Sequence, residues 1–107
     1  MKILIKPLSI NGAFKGRKFK TKEYDQYISD MLFLLPKDLK IDKENLHFIF
    51  HLKKTTFLKA DVDNFIKPLL DIMVKKEILE DDRFIKKITI EKVISDEYKI
   101  EIVENMI

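Results

Sequence analysis

The run DVDNFIKPLLDIMVKKEILEDD, residues 61–82, opens and closes on carboxylates. Asp61 and Asp63 flank Val62, Asn64 and Lys67 follow, and Glu80, Asp81 and Asp82 end the stretch. Carboxylate oxygens are hard ligands suited to Mg2+ or Mn2+. Residues two apart point to nearly opposite sides of a helix, so Asp61 and Asp63 cannot share a ligand there. On an extended segment they project from one face, about 7 Å apart. The pair therefore makes chemical sense at a strand end or in an extended lead-in to a helix. Asp63 can then cap that helix, which leaves Asp61 with no obvious structural task. Lys67 lies one turn beyond Asp63 on the same side, where a lysine balances the carboxylates or holds a phosphate and the charge developing on it. A plainer reading stands beside this one. Aspartate followed by asparagine is a common helix start, and EILEDDR is an ordinary solvated turn.

Other chemistries are closed off. The absence of cysteine removes disulfides, thiolate metal sites and cysteine nucleophiles. With Gly12 and Gly16 as the only glycines, neither a Walker-type phosphate loop nor a dinucleotide fingerprint can be written, so no nucleotide cofactor is expected. Three serines and two histidines leave little scope for a serine triad. His47 and His51 have a zinc-like spacing but no placed glutamate, and read as partly exposed structural histidines.

The elements that must position the acids follow from periodicity. KILIK is a short first strand, and SINGAFKGRKFK a flexible loop. Thr21 is placed as an N-cap, with Glu23 in the first turn. Tyr24, Tyr27, Ile28, Met31, Leu32 and Leu35 then recur at helical spacing until Pro36. After a charged connection, LHFIFHLK alternates as a strand, and the apolar stripe across residues 46–58 is core. Phe65, Ile66, Leu69, Leu70, Met73 and Val74 mark a second helix, which must start close to Pro68. FIKKITIEKVI and YKIEIVE read as an antiparallel hairpin through SDE. The order β-α-β-α-β-β predicts one domain over residues 1–107. Its class is α/β (α+β-like), a mixed sheet of about four strands with two helices.

Charge is unevenly placed. Residues 1–22 carry seven cations and no acid, while the other 85 residues hold 14 cations against 18 acids. Lys15, Arg17, Lys18, Lys20 and Lys22 are placed to contact phosphates, and Lys53, Lys54 and Lys59 extend that track towards the acids. Phe14 and Phe19 interleave with the first group as anchors or stacking rings, and Phe57 reads as a half-buried loop aromatic. The longest apolar run before a breaker, Met31 to Leu35, is too short to span a bilayer, and MKILIKPLSI lacks a signal-peptide pattern. A cytoplasmic protein with no membrane partner is the expectation.

Residues 61–82 closely resemble the signature of RusA-type Holliday junction resolvases. That signature is D-x-D-N-x-x-K, a helix with a further aspartate, then a D-D pair opening a strand. Here these are Asp61, Asp63, Asn64, Lys67, Asp71, Asp81 and Asp82. The order of elements, from basic loop to C-terminal strands, extends the resemblance along the chain. It implies a homodimeric, Mg2+-dependent endonuclease, with Mn2+ able to substitute. Such an enzyme resolves four-way junction DNA by paired symmetric nicks, in recombination and repair, in a host or prophage setting. Carried over by position, Asp61, Asp63 and Asp82 are the essential carboxylates and Lys67 the catalytic lysine. Asp81 joins these three as a further metal ligand. Asn64 and Asp71 take supporting roles, and Asp71 also reads as exposed helix surface. A nuclease for other branched DNA or RNA, and an inactive junction-binding protein, are the alternatives.

Overall fold

A computed structural model of the chain describes residues 1–10, 14–15, 19–36 and 38–104, with backbone alone at 14, 15, 19 and 20. Along the chain the elements are β1 (Lys2–Ile3), β2 (Phe14–Lys15), β3 (Phe19–Lys20), α1 (Lys22–Leu34), β4 (Asn45–Leu52) and α2 (Lys54–Lys59). A 3-10 turn at Val62–Phe65 leads into α3 (Ile66–Lys75), and a second at Asp82–Phe84 precedes β5 (Lys87–Ile94) and β6 (Lys99–Ile102). The four-stranded sheet runs β1-β6-β4-β5 and is mixed, as expected. β4 pairs parallel with β5 and antiparallel with β6, and β1 pairs antiparallel with β6.

β4 dictates the arrangement. Its alternate side chains Leu46, Phe48, Phe50 and Leu52 are all buried. A strand carrying that much apolar surface is best placed centrally, with a neighbour on each side. At Phe48 or Phe50, truncation to alanine costs about 3–5 kcal/mol. The same sheet face takes Ile100 and Ile102 from β6 and Ile3 from β1, and the two long helices close over it. Thr21 caps α1 as read, its Oγ1 accepting from the Tyr24 N–H at 3.1 Å. From α1, Tyr24, Tyr27 and Met31 enter the core, and from α3, Leu69, Leu70, Ile72 and Met73. The opposite sheet face carries His47 and His51, tied to Glu91 at 3.3 Å and Glu101 at 3.1 Å. That agrees with structural histidines.

Four local expectations are corrected. The β5–β6 hairpin does not form, because β4 lies between the two strands. Instead the connection crosses the end of β4, where the Ser95 N–H donates to the Leu52 carbonyl at 2.8 Å. Burying both flanks of β4 outweighs the local turn signal in SDE. Within the supposed flexible loop, β2 and β3 form a small antiparallel ladder, Phe14 opposite Lys20 and Lys15 opposite Phe19. The first strand shrinks to Lys2–Ile3. KTTFLKA contributes the short helix α2, whose Leu58 is largely exposed, so the apolar stripe of 46–58 does not stay in the core throughout.

α3 ends in a Schellman motif. The Ile78 N–H reaches back to the Met73 carbonyl at 2.9 Å and the Glu77 N–H to Val74 at 3.0 Å. Glu77 occupies the left-handed position, φ 65°, where glycine is usual. Ile78 and Leu79 are buried beyond it, which turns the chain back so that Asp82 returns to the side of α3. Among the described residues no helix is long and apolar enough to cross a membrane.

Candidate active site

The first acidic group sits on a turn held from below. Ala60 and Asp61 are extended, Asp61 at φ −73° and ψ 146°. The chain then tightens into the Val62–Phe65 turn, with the Asn64 N–H on the Asp61 carbonyl at 3.1 Å. Phe65 is 1% exposed and its ring lies 5.4 Å from that of Phe50 on β4. This anchor leaves Asp61 and Asp63 exposed above the core. Two expectations are corrected here. Only Asp61 is extended, since Asp63 lies inside the turn, and neither side chain caps a helix. The turn runs straight into α3, so Ile66 already donates to the Asp63 carbonyl and no extended cap residue precedes the helix. Pro68 is the third residue of α3, where its missing N–H costs little.

The second group meets Lys67. Lys67 Nζ lies 3.0 Å from Asp71 Oδ1, one turn on, and 3.7 Å from Asp82 Oδ2, beyond the far end of α3. Asp71 is therefore part of the cluster rather than mere helix surface. The hydrogen bond that Lys67 donates to Asp71 raises its pKa against a smaller desolvation cost, and the Asp71 and Asp82 charges add to the rise. Lys67 is thus firmly cationic at neutral pH. Tyr24 of α1, not among the expected site residues, feels the same charges. Burial first, then the Asp71 charge, pushes its phenol up, with Lys67 opposing. Its place in the helical stripe of α1 marked it only as core.

Asp81 has a local task. Its Oδ1 accepts from the Arg83 N–H at 3.0 Å and Oδ2 lies 3.4 Å from Arg83 Nε. That backbone bond above all lowers its pKa. Asp82 belongs to the turn rather than to a strand, which starts only at Lys87. Of the DNA-contacting candidates, Lys22 is exposed at the start of α1 and Lys59 is exposed in the last turn of α2. Arg17 and Lys18, and the side chains of Lys15 and Lys20, lie outside the described residues, as do Phe14 and Phe19. Lys53 is held over the Tyr98 ring at 5.4 Å, and Phe57 is half-buried beneath Lys92.

As a donor set, Asp61, Asp63 and Asp82 suit a hard divalent cation. Asp61 and Asp63 are exposed, and among the described residues their side chains make no hydrogen bond or ion pair. No three Asp, Glu or His side chains among the described residues lie together as a metal-holding group. The contact present is Lys67 with Asp71 and Asp82.

The family model described as Endodeoxyribonuclease RusA matches residues 14–103 of the 107. The chain belongs to the RusA endodeoxyribonuclease family. The match takes in both acidic groups, Lys67, the segment from β2 through α1, and all strands from β4 onward. RusA-family membership brings the activity of a Holliday junction nuclease, acting on junction DNA. No curated protein matches the chain.

Proposed function

We propose that this RusA-family protein is a Mg2+-dependent resolvase of four-way DNA junctions, cutting symmetric strands as a homodimer during recombination and repair. The observation that carries the reading is Lys67, held as a cation between Asp71 and Asp82, with Asp61 and Asp63 exposed and uncommitted just ahead of the same helix. Asp61, Asp63 and Asp82 would hold Mg2+, or Mn2+ in its place, and the bound ion would supply an acidified water and a sink for charge on the leaving 3′ oxygen. The remaining work falls to the chain. Asp71 orients the Lys67 ammonium, which neutralises charge developing on the scissile phosphate. Asp81 fixes the turn that presents Asp82. Lys22 and Lys59 hold flanking phosphates in a salt-dependent, sequence-independent way, with Lys15, Arg17, Lys18 and Lys20 extending the contact. A two-fold dimer aligns two such sites on like strands.

The test is a labelled synthetic four-way junction with Mg2+. Paired nicks are expected, lost with EDTA and in Asp61→Asn and Asp82→Asn proteins. Nicks that persist in those variants overturn the site. Preferential cutting of flaps, forks or structured RNA on a substrate panel overturns the junction assignment. Tight EDTA-insensitive junction binding without turnover in Mg2+ or Mn2+ overturns the catalytic one.

A further inference from the structure

β5 breaks its own pattern at Lys92. In register with β4, Ile88 lies opposite Leu46, Ile90 opposite Phe48, Lys92 opposite Phe50 and Ile94 opposite Leu52. Four alternate positions therefore share the sheet face that carries Phe48 and Phe50, and one of them is a half-buried lysine beside the fully buried Phe50. An ammonium on that face needs partners to offset lost hydration. Lys92 finds them in one place. Its Nζ donates to the Phe57 carbonyl at 2.7 Å and to the Ala60 carbonyl at 2.9 Å, and lies 4.2 Å from the Phe57 ring centroid.

Those two carbonyls end α2, and Ala60 immediately precedes Asp61. α2 has six residues, none buried, and no side-chain cap at Lys53. A helix this short is unstable alone and depends on tertiary ties. Two ties come from the sheet side of the molecule: Lys92, and Tyr98, whose hydroxyl lies 2.7 Å from Thr56 Oγ1. Of these two, Lys92 is the one that bonds to Ala60. The Ala60 N–H closes α2 on the Thr56 carbonyl at 3.2 Å, its carbonyl takes Lys92, and the Asp61 carbonyl takes the Asn64 N–H. The backbone is thus bonded on both sides of Asp61, and the bond on the N-terminal side is a sheet lysine.

We propose that Lys92 is a positioning residue for the metal-binding carboxylates, setting where Asp61 stands by clamping the end of α2. This role rests on the functional reading above for Asp61 as a metal ligand and for the identity of the ion. Groups that orient a metal ligand commonly change affinity about 10- to 100-fold when removed. The test compares wild type with Lys92→Met, which keeps the stem on Phe57, and Lys92→Gln, which keeps one donor without the charge. Mn2+ binding without DNA is read by electron paramagnetic resonance, and metal-free amide exchange over residues 54–64 by mass spectrometry. In folded Lys92→Met, Mn2+ binding is expected to weaken about tenfold or more, with faster exchange confined to 54–64. Lys92→Gln is expected to fall between. The Mg2+ concentration for half-maximal junction cleavage rises in the same order. Unchanged Mn2+ affinity in either folded variant, or unchanged exchange over 54–64, overturns the proposal. If wild type binds Mn2+ but never nicks a junction, the functional reading fails while these two readouts still judge Lys92.

Discussion

Lys67, the second residue of α3, lies 3.7 Å from Asp82, 15 residues on and beyond the far end of that helix. α3 and its closing Schellman turn bring this about, so the cluster depends on where that helix stops. The ammonium is also paired with Asp71 at 3.0 Å, which makes Asp71 the nearer of its two carboxylate partners.

Removing the ammonium is expected to slow strand cleavage far more than it weakens junction binding. For Lys67→Met, single-turnover cleavage should fall about 100- to 1,000-fold, with gel-shift affinity in EDTA little changed. An equal loss in both would assign Lys67 to binding.

Asp71 should matter through Lys67. Its hydrogen bond raises the lysine's pKa, so the protonated form is the one stabilised in the folded protein. That contribution is full below the unfolded lysine value and is lost as pH rises through the folded one. In Asp71→Asn the folded value drops back, so the alkaline loss of cleavage moves to lower pH. A pH–rate profile from 8 to about 11 reads this directly.

Mg2+ is expected to raise the melting temperature, because an ion bound only by the folded state stabilises it by mass action. In Asp61→Asn and Asp82→Asn the rise should shrink or vanish. Without metal, Asp61→Asn should melt as wild type does, since its carboxylate makes no hydrogen bond or ion pair among the described residues, whereas Asp82→Asn should be no more stable, having lost its ion pair with Lys67. Differential scanning fluorimetry across a Mg2+ series measures both.

Glu77 sits at φ 65° at the end of α3. Replacing it by glycine relieves backbone strain of about 1 kcal/mol, partly offset by the freer unfolded chain. Glu77→Gly should therefore be as stable as wild type or more so in urea unfolding, with its fold unchanged. Glu77→Val should be clearly less stable, as a β-branched residue tolerates this region poorly.

On the open sheet face, the His51 hydrogen bond holds the Glu101 carboxyl below its usual range, against a smaller opposing effect of burial. A depressed folded pKa contributes stability above the unfolded carboxylate value, lost as pH falls through the folded one. Glu101→Gln should flatten the acid side of the stability curve below about pH 4.5, and leave the alkaline side as it was. Thermal melts from pH 3 to 7 test it.

Much of this was readable along the chain wherever a signal is local. The Thr21 cap, the α1 stripe ending before Pro36 and the alternation of β4 all depend on neighbours within a few residues, and all stand. Signals that compete with burial misled. SDE invited a hairpin, but β4, apolar enough to sit centrally, takes a strand on each edge, so β5 and β6 lie on its opposite sides. The DVDN run invited an N-cap at Asp63, but a 3-10 turn entering α3 directly removed the capping position.

By itself, the sequence determined which residues could do the chemistry: paired carboxylates at both ends of one amphipathic helix, with a lysine between them. Their types and spacing suffice for that, because ligand hardness and helix period are local properties. Tertiary structure alone decided how they meet. Lys67 turns to Asp71 and Asp82, Tyr24 comes in from α1, and Lys92 ties Ala60 beside Asp61 from 32 residues away. Those contacts arise from packing helices on one sheet face, where a half-buried ammonium or exposed carboxylate takes whatever partner the core brings within reach.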